Sequence, residues 1–189
     1  MGSTATPAQS HDAKRSAALF SVLAAAGVAL LKLLTGLLTG SLGMLSEAAH
    51  SGIDVIAAAI TFFSVQVADR PADADHSYGH GKVESLSAAI EAVLMLGSAV
   101  WIVAASVHRI LFREHLALTF SIWPFVVLLL SIVVDLSRSS RLHTVARAHH
   151  SDALEADAIH FRTDIWSSTA VFLGLAATYS GKHWHIPNL

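Results

Sequence analysis

The sequence predicts an all-α membrane protein, a bundle of five transmembrane helices, and three observations predict it. Hydrophobic residues fill 53% of the 189 positions, and the mean hydropathy is +0.56. Asp, Glu, Lys and Arg supply only 14%, where an ordinary soluble domain carries about 25%. The apolar residues gather into five long runs, each reaching the roughly 20 residues that a helix needs to cross a core about 30 Å thick. Twelve Lys and Arg against fourteen Asp and Glu leave a formal charge of −2, so there is no basic field for nucleic acid. The absence of cysteine removes disulfides and thiolate metal sites together. Twelve histidines are many beside so few other charged groups, which points to nitrogen and oxygen ligands in a membrane setting.

Taken in order, residues 1–15 are polar and rich in small residues and read as a flexible cytoplasmic tail. Lys14 and Arg15 come too late, with no suitable cleavage site after them, for a signal peptide. The spans follow at about 16–38, 42–67, 83–111, 118–137 and 153–179, which makes 16–180 the transmembrane domain. Their Leu, Ala, Val and Ile are mixed with Gly and Ser, the small residues that let membrane helices approach closely. Thr39-Gly40-Ser41 is a tight hairpin, whereas 68–81 (ADRPADADHSYGHG) and 138–152 are longer polar connections. The second of these carries His143, His149 and His150, which read mainly as solvated loop histidines. Residues 181–189 form a short extracytoplasmic end with Trp184 as an interfacial anchor. Lys14, Arg15, Arg70, Lys82, Arg138, Arg141 and Arg147 fall on the N-terminal side, against Arg109, Arg113 and Lys182 on the other. The positive-inside bias therefore predicts a cytoplasmic N-terminus.

Span two reads Glu47-x-x-His50-x-x-x-Asp54, and span five repeats the order as Asp157-x-x-His160-x-x-x-Asp164. Residues i and i+4 share a helix face, so each helix projects an imidazole and a carboxylate together. An ionisable group at the bilayer centre costs on the order of 2.5–3.5 kcal/mol on insertion scales, so it faces the interior and takes a partner. A single such pair is ordinarily a hydrogen bond that tightens packing; two copies in apolar helices point further. Two imidazoles and two carboxylates suit tetrahedral Zn²⁺, and the loaded set is electrically neutral. Because the ligating forms are deprotonated, metal uptake expels protons. Glu47 and Asp157 stand three residues before their histidines, as acceptors that orient the imidazoles, as proton carriers, or as plain packing residues. Lys32, Asp135 and Arg162 also lie in or near apolar stretches, with Arg162 on a face away from the ligand candidates.

Three motifs, Leu45-Ser-Glu-Ala-Ala-His50-Ser-Gly-Ile-Asp54, Tyr78-Gly-His80-Gly-Lys82-Val-Glu84-Ser-Leu86 and Ala156-Asp-Ala-Ile-His160-Phe-Arg-Thr-Asp164, resemble those of the cation diffusion facilitators, which are metal/proton antiporters. The resemblance runs from about residue 14 to the end. It implies a transport site at His50, Asp54, His160 and Asp164, with histidine on both helices favouring zinc; Cd²⁺, Co²⁺ and Fe²⁺ are the other candidate ions. That preference agrees with ligand softness, since imidazole suits zinc and all-oxygen sets suit harder ions. It also implies a second, loop site at Asp73, His76 and His80, a role for Lys82 in a charge network near a homodimer contact, and residence in the bacterial inner membrane without any resident cofactor. From residue chemistry alone, the loop reads equally as a solvated polar segment, and Lys82 equally as a snorkelling charge.

Family members usually carry a sixth helix and a cytoplasmic ferredoxin-like domain, and neither is present in these 189 residues. Asn188-Leu189 reads as mid-loop, so the expectation is a truncated chain. Two other readings remain. One is a non-transporting metal-binding subunit or sensor. The other is an intramembrane metal hydrolase, disfavoured because HExxH is absent and four ligands leave zinc no open position for water.

Overall fold

The computed structural model describes residues 7–40, 42–112 and 122–183. They form five helices and no strand: α1 (Pro7–Thr39), α2 (Leu42–Ala68), α3 (Lys82–Phe112), α4 (Trp123–His149) and α5 (Asp152–His183). Successive helices run antiparallel through short connections, so the start of α1, the end of α2, the start of α3, the end of α4 and the start of α5 share one end. The chain is an all-α membrane bundle. Among the described residues, α1, α2 and α3 each contain a stretch long and apolar enough to cross a bilayer by length and composition. The helices α4 and α5 carry the charged interior: Asp135, Arg138, Asp157, His160 and Asp164 are all buried.

Small residues set the packing. Ala17, Ala18 and Ala25 of α1, Ala58 of α2, Ala146 of α4 and Ala158 of α5 meet in one cluster, closed by Leu142, Leu154 and Phe161. Gly36 marks the closest approach of α1 and α2: a Cβ there would stand 3.0 Å from the Leu45 backbone nitrogen and 2.9 Å from its Cδ2. Gly40 reverses the chain with φ +64°, a conformation that glycine adopts without steric cost. Gly36→Ala therefore forces the hairpin apart. It is expected to cost about 1–3 kcal/mol, the usual penalty of overpacking, read as a lower unfolding midpoint in detergent; an unchanged midpoint would show that the contact yields freely.

Two expected boundaries move. Helix α1 begins at Pro7, inside the segment expected to be a flexible tail. Lys14 is buried there, donating to Glu84 Oε1 at 3.1 Å and to Asp69, so this part of the chain is tied to α3 and to the end of α2. Helix α4 continues past Ser137 to His149, where a polar connection was expected. Its inward positions there, Ser139, Leu142 and Ala146, remain small or apolar at helical spacing and stay buried. The helix stops at His150, which takes φ 52°. Lys14 and Arg138, counted above among loop cations, thus belong to the interior, and the charge bias rests on Arg15, Arg70, Lys82, Arg141 and Arg147. Residues 1–6, residues 118–121 of the expected fourth span, Arg113 and 184–189 lie outside the described residues.

Candidate metal centres

Helices α2 and α5 bring both His-x-x-x-Asp pairs to one point. His160 Nε2 lies 3.2 Å from Asp54 Oδ1 and 3.4 Å from Asp164 Oδ2, and His50 Nε2 lies 3.6 Å from Asp164 Oδ1. A tetrahedral zinc with bonds of about 2.0–2.2 Å has ligand–ligand edges of about 3.3–3.6 Å. These three separations are close to such edges, with Asp164 offering a different oxygen to each histidine and His160 meeting the others through Asp54 and Asp164. One ligand atom each from His50, Asp54 and Asp164 falls within 4.8 Å of the others. All four side chains are buried or nearly so. His50, His160 and Asp164 line a cavity of about 400 Å³ whose remaining wall is mostly α3, including Ala92, Met95 and Ser98.

Of the alternatives for Glu47 and Asp157, the orienting hydrogen bond to the imidazoles is not seen among the described residues. Glu47 accepts from Lys32 Nζ at 3.2 Å, and Lys32 also donates to Ser51 at 2.9 Å. Asp157 accepts from the Ser21 hydroxyl at 2.9 Å. The Nδ1 atoms of His50 and His160 are buried without a hydrogen-bond partner. Each acid has a donor on α1, Lys32 for Glu47 and Ser21 for Asp157, which the spacing along its own helix does not reveal.

Arg138 completes this interior. Its guanidinium donates to Asp135 Oδ1 at 3.0 Å and to Ser21 Oγ at 3.1 Å, and lies 3.4 Å from the Phe161 ring centroid. Arg162, on the neighbouring position of α5, is exposed, as its face predicts.

The loop between α2 and α3 does turn on itself. His76 Nδ1 lies 3.1 Å from Asp73 Oδ1, and His80 Nε2 lies 3.4 Å from Asp73 Oδ2. The two imidazole centroids are 4.5 Å apart. Backbone bonds build the turn: Asp73 Oδ1 accepts from the N–H of His76 at 2.7 Å and of Asp75 at 3.1 Å, and Gly79 donates to the His76 carbonyl with φ +79°. The same His76 N–H is the main reason that the Asp73 carboxyl sits below the usual carboxylate range. One carboxylate and two imidazoles therefore face one another in a half-exposed position.

Lys82 is exposed and makes no ion pair among the described residues. Within the chain, a charge network at that end is built by Lys14 with Asp69, with Glu84, and through Glu84 with the Ser151 hydroxyl that opens α5. Ser85 adds a bond to Asp152 Oδ2 at 2.9 Å. Sequence reasoning assigned Lys14 to the tail and passed over Glu91 of α3, which is 0% exposed and accepts a hydrogen bond from Thr61. The signal for Glu91 was available: an acid in the middle of an apolar run is expensive there and is therefore placed for a reason.

Comparison with known proteins agrees with this architecture. A profile of the cation efflux transmembrane domain matches residues 18–187. The cation-efflux pump FieF of Shewanella oneidensis is 32% identical over 164 residues, 87% of this chain and 55% of that protein. FieF of Pectobacterium carotovorum is 31% identical over 144 residues, 76% of this chain and 47% of that protein. The magnetosome protein MamB of a Magnetospira strain is 32% identical over 148 residues, 77% of this chain and 49% of that protein. The chain thus spans about half the length of the curated relatives it matches.

Proposed function

Since the chain belongs to the cation efflux family, whose members are transporters rather than enzymes, we propose that it is the membrane part of a divalent-cation efflux system. In this reading it carries zinc out of the cytoplasm in exchange for protons, by alternating access around His50, Asp54, His160 and Asp164. The observation that supports the reading is that two imidazoles and two carboxylates from distant parts of the chain are buried together, with three imidazole–carboxylate separations of 3.2, 3.4 and 3.6 Å. Zinc plus two carboxylates is neutral, which a low-dielectric interior tolerates. The empty set would hold two negative charges unless it bound protons, so metal release to the far side is favoured where protons compete for the ligands.

All five helices cross the inner membrane in this reading, with the N-terminus in the cytoplasm, and two copies form the working dimer. The loop residues Asp73, His76 and His80 hold a second ion near the cytoplasmic surface. The hydrolase alternative falls with the family assignment.

The test is zinc flux in vesicles reconstituted with the protein. Zinc accumulation driven by an imposed pH gradient, with proton counterflow, is expected; flux indifferent to collapse of that gradient would end the exchange reading. Equilibrium zinc binding checks the loop separately. Asp73→Ala is expected to remove one zinc per chain and leave the intramembrane ion bound, whereas an unchanged stoichiometry would return the loop to a solvated turn.

A further inference from the structure

Glu91 is a buried acid that the four-ligand site does not use. It lies on α3 at helical spacing after Glu84 and Ser87, and all three are buried. The next turns of the same helix bring Met95 and Ser98 to the wall of the cavity that holds His50, His160 and Asp164. One face of α3 therefore runs from the Lys14–Glu84–Ser151 cluster at the helix ends to the metal ligands.

The interior acids of the bundle are unequally partnered. Glu84 is paired with Lys14, Glu47 with Lys32 and Asp135 with Arg138. Glu91 has no cationic partner among the described residues, only the Thr61 hydroxyl on Oε1. Its Oε2, the Ser87 hydroxyl, Asp157 Oδ1 and His160 Nδ1 are all buried without hydrogen-bond partners. Glu91 lies within electrostatic reach of Asp157 and His160. Unsatisfied polar atoms in an interior mark places for water or ions, and a buried carboxylate lacking a partner is costly unless it takes up a proton or a cation.

We infer that the α3 face from Glu84 through Ser87 to Met95 is the route by which a divalent cation reaches the four-ligand site from the helix ends, with the Glu91 carboxylate, held by Thr61, as its intermediate station. This rests on the reading of the four-ligand site given above. The Lys14–Glu84 pair closes the outer end of the route, and Glu91 attracts an ion that has passed it. Glu91 is a positioning residue for the moving ion, so it governs rates in both directions and leaves the final affinity alone.

The experiment is stopped-flow binding of Zn²⁺ to the purified full chain carrying Asp73→Ala, which removes the loop residues from the signal, with His50→Ala as the blank. Glu91→Gln retains the shape and an acceptor for Thr61. It is expected to slow zinc association by about tenfold or more, the scale of electrostatic steering in a confined cleft. Dissociation slows by the same factor, the equilibrium affinity stays within about twofold of the parent, and Glu91→Asp recovers part of the rate. Association at the parent rate would overturn the proposal, even if the number of protons released per zinc changed, which would make Glu91 a proton carrier only. Affinity falling in step with the association rate would also overturn it and make Glu91 a ligand. Zinc binding at parental strength in the His50→Ala blank would instead defeat the four-ligand reading, an outcome distinct from either of these.

Discussion

In the His50→Ala variant, zinc binding at the intramembrane site is expected to fall by more than about 100-fold, beyond the loss typical of an outer-shell partner, and transport is lost. The reason is stoichiometric as well as geometric. Three of the four donors remain, but one vertex of the tetrahedron is vacant, and a water from the adjoining cavity is a weaker donor to zinc than the imidazole. Asp164→Ala has the same expected outcome for a different reason. It leaves one carboxylate against Zn²⁺, so the loaded site is no longer neutral. Asp164 also lies near both histidines, 3.6 Å from His50 and 3.4 Å from His160. Calorimetric titration and flux in reconstituted vesicles read these effects, and circular dichroism checks that helix content is kept. Undiminished zinc flux in either variant would remove the site assignment. His50→Asp is the finer test: an oxygen in place of an imidazole nitrogen is expected to loosen discrimination against manganese. An unchanged ion preference would show that ligand identity at this position does not set selectivity.

The second large effect is on stability. Arg138 is 2% exposed and holds three helices together through Asp135 on its own helix, Ser21 on α1 and Phe161 on α5. Arg138→Ala is expected to destabilise the bundle by about 3–5 kcal/mol, because removing one partner of a buried ion pair leaves the other uncompensated. Asp135→Asn in the same chain should recover part of that loss, since the orphaned charge is then gone. Arg138→Lys keeps the charge but loses the planar fork and the stack on Phe161, so it falls between the two. Denaturant unfolding in detergent reads the series. Additive losses for Arg138→Ala and Asp135→Asn would mean that the two residues act independently, against the 3.0 Å contact between them.

The location of Arg138 links stability to the proposed transport cycle. Phe161, over which it stacks, follows the ligand His160 directly, and Ser21, to which it donates, also binds Asp157 one turn before that histidine. The ligand-bearing turn of α5 is therefore anchored to α1 and α4 on one side, while its other side faces the cavity walled by α3. The outer face of α3 carries exposed apolar side chains, among them Leu96, Val100 and Val103.

Much of this architecture was legible along the chain. Hydropathy and the spacing of small residues are local properties, and they sufficed for five helices in one bundle, for the hairpin at Gly40 and for the polar turn before α3. The repeated His-x-x-x-Asp spacing placed each imidazole beside its own carboxylate, because helical periodicity alone decides that. Folding was needed for every partnership between helices. Lys14 reads as a tail residue until α3 brings Glu84 to it, and Glu47 reads as an orienting acceptor, a proton carrier or a packing residue until Lys32 of α1 reaches it. The end of α4 was misjudged at Ser137 because its polar residues look like a loop in one dimension, whereas in three they alternate between solvent and an interior lined by Ser139, Leu142 and Ala146. The physical reason is common to all of these. A helix can be recognised from contacts within a few residues, but a charge buried in an apolar bundle survives only where a counter-charge arrives from elsewhere, and that arrival is settled by packing.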